Sequence, residues 1–427
     1  GRLRFSYIFL RLPCRGFDPG RDTFALTNPT PETMKRMLRL ALTLCLLASA
    51  GHCAAQAIVR KSFARAERQT ALLDSLLTAP DLFPASWNPD GTIKTNTARG
   101  WISGFFPADI WLLYEYTRDA KWLDMARRRT APLDALRHYT KTHDLGFMVG
   151  CPCHLAYRLT GDDHYKQLLI DASDALLTRF SPTVGLIRSW DNKGGDPNPY
   201  RVIIDNMMNL EMLFTASRLT GDKRYHDIAV RHADNTLKNH FRPDNSSFHI
   251  VCYDAGTGRV TGQKGGQGHS AASAWSRGQS WGLYGFTMCY RETGDKRYLD
   301  RAVKSAEYFI RHPRLPADLV PYWDYDAPGI PDEPRDASAA AITASALLEL
   351  ARYVPEREKT YYKTARKILR SLASDRYLIP AGEKCGFLID HSVGSKPAGS
   401  QVDVPIIYGD YYFLEALLRL KNYKTQK

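Results

Sequence analysis

LTGDDHY at 159–165, LTGDKRY at 219–225 and ETGDKRY at 292–298 are one punctuation mark written three times, with a looser fourth copy, TRDAKWL, at 117–123. In each, a permissive backbone position ends one helix, aspartate caps the next, and the aromatic that follows falls on the new helix's buried face. The stretches between the marks, among them GFFPADIWLLYEYT, DNMMNLEMLFTASRL, YLDRAVKSAEYFIR and SAAAITASALLELARY, repeat apolar residues at helical spacing. They read as paired helices. The marks recur at intervals of 43, 60 and 73 residues, counted between Thr117, Thr160, Thr220 and Thr293. Such intervals are too wide and uneven for a short solenoid repeat but suit hairpins with loops of different length. No alternation of strand and helix and no dinucleotide-type glycine loop supports a doubly wound sheet. An all-α fold of helical hairpins is therefore expected, and a toroid is one arrangement that would close them. Its polar, Gly- and Trp-rich stretches at 186–200, 253–280 and 318–336 would gather at one end around a pocket.

The composition fits. A chain of 427 residues, 44% apolar and 24% charged, with 30 Gly and 24 Pro, can bury a large core. It is not disordered, collagen-like or a small disulfide-stapled fold. Met34-Lys35-Arg36-Met37 followed by LRLALTLCLLASA has the basic, apolar, small-residue order of a secretory signal over 34–55, which implies a periplasmic or secreted protein. Residues 1–33 read as an upstream or mis-started segment, and 56–427 as one domain. The apolar run is short for a membrane span, and none is expected. The net charge of +13 falls to +8 without residues 1–55, which hold eight basic and three acidic side chains. That balance weakly favours anionic ligands. The charges are scattered along helical segments with no basic run interleaved with aromatics, so nucleic acid is not expected as a partner. Nor does the sequence mark an obligate protein partner. Cys151, Cys153, Cys252, Cys289 and Cys385 are odd in number, and the C-x-C at 151–153 lacks zinc spacing, so no metal site is expected.

Two aspartates sit where their neighbours do not account for a solvated charge. Asp144 follows His143 in THDLGFMVG, and Asp205 lies between Ile203-Ile204 and Met207-Met208. Helix capping is the ordinary explanation of either. The functional one is that apolar surroundings and a nearby like charge raise one carboxyl's pKa, so that it donates a proton while its partner stays ionised. Sixty-one residues separate the two, and only a closed fold brings them together. Trp101, Trp190 and Trp281 are candidate flat surfaces, with core packing as the default for each. The densest polar cluster, QGHSAASAWSRGQSWGLYG at 267–285, supplies Gln267 and the rigid guanidinium of Arg277, which is suited to a carboxylate. His249 alternates with apolar neighbours, as a structural or a catalytic histidine would. Serine catalysis lacks a nucleophile elbow.

These segments, with WISGFFPADIW at 101–111, PRDASAAAITASALLEL at 334–350 and VDVPIIYGDYYFLEAL at 402–417, resemble the unsaturated glucuronyl hydrolases, family 88 of the glycoside hydrolases, across residues 60–425. The resemblance implies an (α/α)6 toroid of six hairpins forming a single catalytic domain, with no cofactor. It further implies an exo-acting enzyme that removes the non-reducing 4,5-unsaturated uronic acid from lyase-generated glycosaminoglycan oligosaccharides. On that basis Asp205 would protonate C4 and then help water attack C5, with Asp144 as the partner carboxylate. His143, His249, Gln267, Arg277 and Trp281 would bind the unsaturated sugar, and Trp101 and Trp190 would line its site. Ala271-Ala272 departs from the family pattern, which carries acidic residues there.

HSVGSKP at 391–397 is the candidate outer subsite. Ser392, Ser395 and Lys396 would hydrogen-bond and neutralise a sulfate on the neighbouring sugar, against the plain alternative of a solvated turn. The competing functions are an unsaturated rhamnogalacturonyl hydrolase on pectic fragments, a polysaccharide lyase or epimerase, and a noncatalytic carbohydrate-binding protein. The presence of both aspartates in their motifs favours hydration.

Overall fold

Each punctuation mark folds as its residues dictate. Gly161, Gly221 and Gly294 hold φ of 70°, 76° and 71°, and each donates its N–H to the carbonyl four residues back. At the fourth mark Arg118 adopts the same left-handed conformation, φ 60°. Asp119, Asp162, Asp222 and Asp295 then cap the following helices, each accepting the N–H two residues on. The threonine before each turn adds a lock the sequence reading did not use. Its hydroxyl donates to the carbonyl four residues back and accepts the N–H of the capping aspartate. Trp122, Tyr165, Tyr225 and Tyr298 are buried as expected. The hydroxyls of Tyr225 and Tyr298 donate to Asp174 and Asp234 on the preceding hairpins, which ties neighbouring pairs together.

The computed structural model describes residues 31–191 and 200–423, with side chains from residue 55 onward. The chain divides into two units, Gly1–Cys53 and Ala54–Lys427. In the first, the described backbone is helical, as the start of α1 (Pro31–Leu76). The side chains of residues 34–54 of the expected signal segment, and nearly all of residues 1–33, lie outside the described residues, while Ala55 is buried. In the second unit the marks join α2 (Phe105–Thr117) to α3 (Ala120–Thr130) and α4 (Cys151–Thr160) to α5 (Asp163–Leu177). They likewise join α6 (Leu210–Thr220) to α7 (Lys223–Asn239) and α8 (Ser276–Thr293) to α9 (Lys296–Arg311). A further hairpin pairs α10 (Ala337–Leu350) with α11 (Glu358–Leu372), and α12 (Ile407–Lys421) packs on both α10 and α2 to close the ring.

The even-numbered helices form the inner wall. All of α10 and most of α8 and α12 are buried, whereas the odd-numbered helices bury one face. The second half of α1 lies on the outside. There Phe63 stacks on Tyr116, Gln69 donates to the Phe387 carbonyl, and Asp74 pairs with Arg129. The (α/α)6 toroid is thus the fold.

Short antiparallel strands occupy the loops. They are β1 (Phe83–Trp87) with β2 (Ile93–Asn96), β3 (Phe180–Ser181) with β4 (Leu186–Ile187), and β8 (Ser392–Ser395) with β9 (Ser400–Val404). A three-stranded sheet sets β6 (Ile250–Tyr253) between β5 (Tyr200–Ile203) and β7 (Val260–Lys264), with Val202 opposite Val251. Because β2, β5, β7 and β9 lead into α2, α6, α8 and α12, the sheets stand over the end of the ring where the inner helices begin.

Candidate active site

The chain enters α4 and α6 through distorted turns, a π-turn at Gly146–Gly150 and a 3-10 turn at Ile204–Asn209. Gly146 is where they touch. A Cβ there would sit 2.5 Å from Asn209 Cα, and the Phe147 N–H donates to Asn209 Oδ1 at 3.2 Å. This contact brings Asp144 and Asp205 into electrostatic range. Neither caps a helix. Asp144 accepts the Thr142 hydroxyl at 2.7 Å, and Asp205 Oδ2 has no hydrogen-bond partner. Burial pushes the Asp205 carboxyl up to about 7, the positive charge of Arg277 opposes the shift, and the negative charge of Asp144 adds to it.

His249 Nδ1 accepts the Gln267 N–H at 2.9 Å, which leaves the ring proton on Nε2, 3.6 Å from Asp205 Oδ2. Burial keeps this imidazole neutral, its pKa down at about 3. Glycine at 266 permits the arrangement: φ is 59°, and a Cβ would lie 2.0 Å from His249 Nδ1. The ring packs on Trp275, 4.5 Å between centroids, and edge-on to Trp190 at 6.2 Å. His143 is fully buried with Nε2 3.3 Å from Asp144 Oδ1, and burial lowers its pKa against the pull of that carboxylate.

Arg277, in the first turn of α8, already holds a carboxylate, that of Asp336 at 3.0 Å. Its other terminal N–H groups go to the Val393 and Gly394 carbonyls and to Gln267 Oε1, and only Nε is without a partner. The guanidinium thus joins the 267 loop and the β8–β9 hairpin to the site, where its charge acts on Asp205. Asp336 also caps α10 through the N–H groups of Ser338 and Ala339.

Trp281 differs from the expected flat surface. It is fully buried between Phe147 and Tyr412 and turns its indole N–H toward Asp205, where it favours the charged form. Trp101 and Trp190 are half-buried. Trp101 packs against Phe105, Phe147 and Tyr408, and Trp190 lies beneath the Arg201 guanidinium. At the outer subsite Ser392 is buried, while Ser395 and Lys396 are half-buried. The Lys396 ammonium is paired with Glu333, whose carboxylate also accepts the Trp323 indole N–H.

Sequence reasoning missed Asp336, Glu333 and Arg179. The buried guanidinium of Arg179 donates to the carbonyls of Thr140, Arg188 and Ser189, joining the segments that carry Asp144 and Trp190. PRDASAAA at 334–341 does show an aspartate before an alanine-rich helix, a capping signal; nothing local marks the other two.

Asp205, Arg277, Asp336, Tyr408 and Trp101 all belong to turns that begin inner helices. Several positive helix ends therefore face this mouth, an environment that favours an anionic ligand. A separate cavity of about 680 Å³ lies inside the ring, between the first turns of α4 and α6 and the C-terminal halves of α2, α8, α10 and α12, where Arg158 pairs with Glu115, Arg291 with Glu211 and Arg419 with Glu349. Among the described residues no His, Cys, Asp and Glu cluster could hold a metal, and no helix is long and apolar enough to cross a membrane.

Residues 81–425 match the model of Glycosyl Hydrolase Family 88. The chain belongs to that family. This family 88 enzyme is 42% identical over 368 residues to an unsaturated glucuronyl hydrolase of Formosa agariphila, covering 85% of this chain and 91% of the relative. It is 35% identical over 346 residues to an unsaturated chondroitin disaccharide hydrolase of Streptococcus pneumoniae, covering 79% and 85% respectively. A crystal structure of an unsaturated glucuronyl hydrolase specific for heparin superposes with a TM-score of 0.83 at 42% identity, over 87% of this chain and 98% of that one. The expected kinship and the hydrolase class of the family 88 enzyme are thereby established.

Proposed function

We propose that residues 56–427 form an exo-acting hydrolase, secreted or periplasmic behind a cleaved signal, that removes the 4,5-unsaturated uronic acid from the non-reducing end of glycosaminoglycan fragments. One observation carries the reading. Asp205 and Asp144, brought together by the contact of Gly146 with Asn209, share an anion-favouring mouth with the imidazole of His249, and burial pushes the Asp205 carboxyl up to about 7. The names of the relatives point to the same class of sugar.

In this reading the Asp205 carboxyl gives its proton to C4 of the C4=C5 enol ether, and the ring oxygen shares the cation that forms at C5. The carboxylate left on Asp205 takes a proton from water as its oxygen bonds to C5, so the acid is restored. The hemiketal then opens by breaking the bond between C5 and the ring oxygen. The resulting hemiacetal at C1 releases the rest of the chain as an alcohol. Because the new bond forms at C5, carboxylate spacing does not predict an outcome at C1 here. Asp144 orients the ring and keeps Asp205 protonated by its charge. The Nε2–H of His249 and the indole N–H of Trp281 steady the carboxylate after proton transfer. Trp101 and Trp190 line the sugar's site, and Gln267 and Arg277 hold the surrounding loops. The β8–β9 hairpin, with Ser395 and Lys396 above the buried Ser392, borders the leaving sugar.

The test is loss of the unsaturated uronate's ultraviolet absorbance on chondroitin, hyaluronan, heparin and pectic fragments made by lyases. Asp205→Asn serves as control. Loss on glycosaminoglycan fragments that the control abolishes is expected. Loss only on pectic fragments, or none with folded protein, would reject the reading.

A further inference from the structure

The β8–β9 hairpin is anchored next to the acid. Arg277, which acts on Asp205, holds the carbonyls of Val393 and Gly394, and Lys396 follows two residues later. The lysine is not free to meet a ligand. Its ammonium pairs with Glu333 on the loop before α10 and lies 5.5 Å over the Trp323 ring. Glu333 is fixed in turn. Oε2 accepts the Trp323 indole N–H at 2.8 Å and Oε1 accepts the Gly329 N–H at 3.3 Å. The Glu333 side chain is only 9% exposed, against 35% for Lys396, so the pair is sheltered on the carboxylate side and open on the ammonium side. A sheltered, doubly anchored carboxylate holds a cation far better than an exposed one.

We propose that Glu333 is a specificity-determining residue. By occupying the Lys396 ammonium it withholds that cation from an anionic group, such as an O-sulfo group, on the leaving sugar, and so tunes the enzyme toward fragments whose leaving sugar is uncharged. The inference rests on the proposed hydrolysis of unsaturated glycosaminoglycan disaccharides. An anionic substituent gains nothing from a lysine whose charge is already matched, and it also meets the Glu333 carboxylate behind it. Glutamine in place of Glu333 keeps the volume and an acceptor for Trp323 but releases the ammonium.

The test compares kcat/KM on unsaturated chondroitin disaccharides with and without a 6-O-sulfo group. Glu333→Gln is expected to raise the sulfated-to-unsulfated ratio about tenfold, chiefly through KM, as a new hydrogen bond to a charged group would. Lys396→Ala in the Glu333→Gln background is expected to abolish the gain. An unchanged ratio in folded Glu333→Gln overturns the proposal. So does a wild-type enzyme that turns over the sulfated disaccharide faster than the unsulfated one, a result that does not depend on whether Glu333→Gln folds. Turnover of neither disaccharide by the wild-type protein would overturn the hydrolase reading and this proposal together, whereas an unchanged ratio overturns the role of Glu333 alone.

Discussion

His249 Nε2 stands 3.6 Å from Asp205 Oδ2, while His249 Nδ1 accepts the Gln267 N–H at 2.9 Å. One backbone hydrogen bond thus decides which ring nitrogen carries the proton, and the protonated nitrogen faces the carboxylate. A neutral donor steadies Asp205 once it has lost its proton, without the full charge that would have drawn the proton off beforehand. His249→Leu is expected to lower kcat about a hundredfold with a smaller change in KM, and His249→Gln, which keeps a donor near Nε2, to recover part of the loss. Steady-state kinetics decide. Equal rates for the two variants would remove the donor from the mechanism.

Asp205 also costs stability. Its folded pKa of about 7 lies above the ordinary 3.8, so between these values the folded state binds the extra proton and stability falls as pH rises. The cost is complete above pH 7 and absent below about pH 4. Asp205→Asn is expected to lose activity by about a thousandfold or more while melting higher than wild type at pH 8. The two should melt alike at pH 4. A variant that melts lower at pH 8 would show that the carboxylate contributes to folding instead.

The rate should depend on the same proton. With Asp205 as the acid, kcat/KM falls above an apparent pKa of about 7. Asp144 raises that pKa by its charge, so in Asp144→Asn the alkaline limb should move to lower pH even as the rate drops. A pH profile of the residual activity measures the shift, and an unmoved limb would mean that the two carboxylates do not communicate.

The hairpins were legible because everything that makes them is local. Glycine, aspartate and aromatic lie within five residues at each mark, and Arg118 shows that the pattern tolerates a substitute for glycine. Asp144 and Asp205 were legible singly, as acids in apolar company, but their approach depends on Gly146 meeting Asn209, a contact across 63 residues. Trp281 was legible as an aromatic with core packing as its default, but not in what it presents to the site, because which side of the indole faces Asp205 depends on Phe147 and Tyr412 from other helices. Lys396 looked free because its partner, Glu333, lies 63 residues earlier on another loop.

The turn marks themselves offer a control without catalytic content. Asp222→Ala removes the cap that accepts the Arg224 N–H at 2.8 Å, and Gly221→Ala places a Cβ at φ 76°. Each should destabilise by about 1 kcal/mol. Chemical denaturation would measure the loss, and kcat should stay at the wild-type value, because this turn lies at the far end of α6 from Asp205.

Arg277 and Asp336 link stability to chemistry. The buried guanidinium lowers the pKa of Asp205, and Asp336 offsets part of its field while capping α10. Asp336→Asn keeps an acceptor for the cap but leaves Arg277 without its counter-charge, and the strengthened positive field should draw the proton from Asp205 more readily. Two results are expected. The melting temperature falls, since breaking a buried pair costs about 3–5 kcal/mol at its fullest and less where the replacement still accepts a hydrogen bond. The alkaline limb of kcat/KM also moves below the wild-type midpoint near 7. A merely structural Asp336 would lower the melting temperature and leave the limb in place, so the pH profile of the variant, taken well below its melting temperature, separates the two roles.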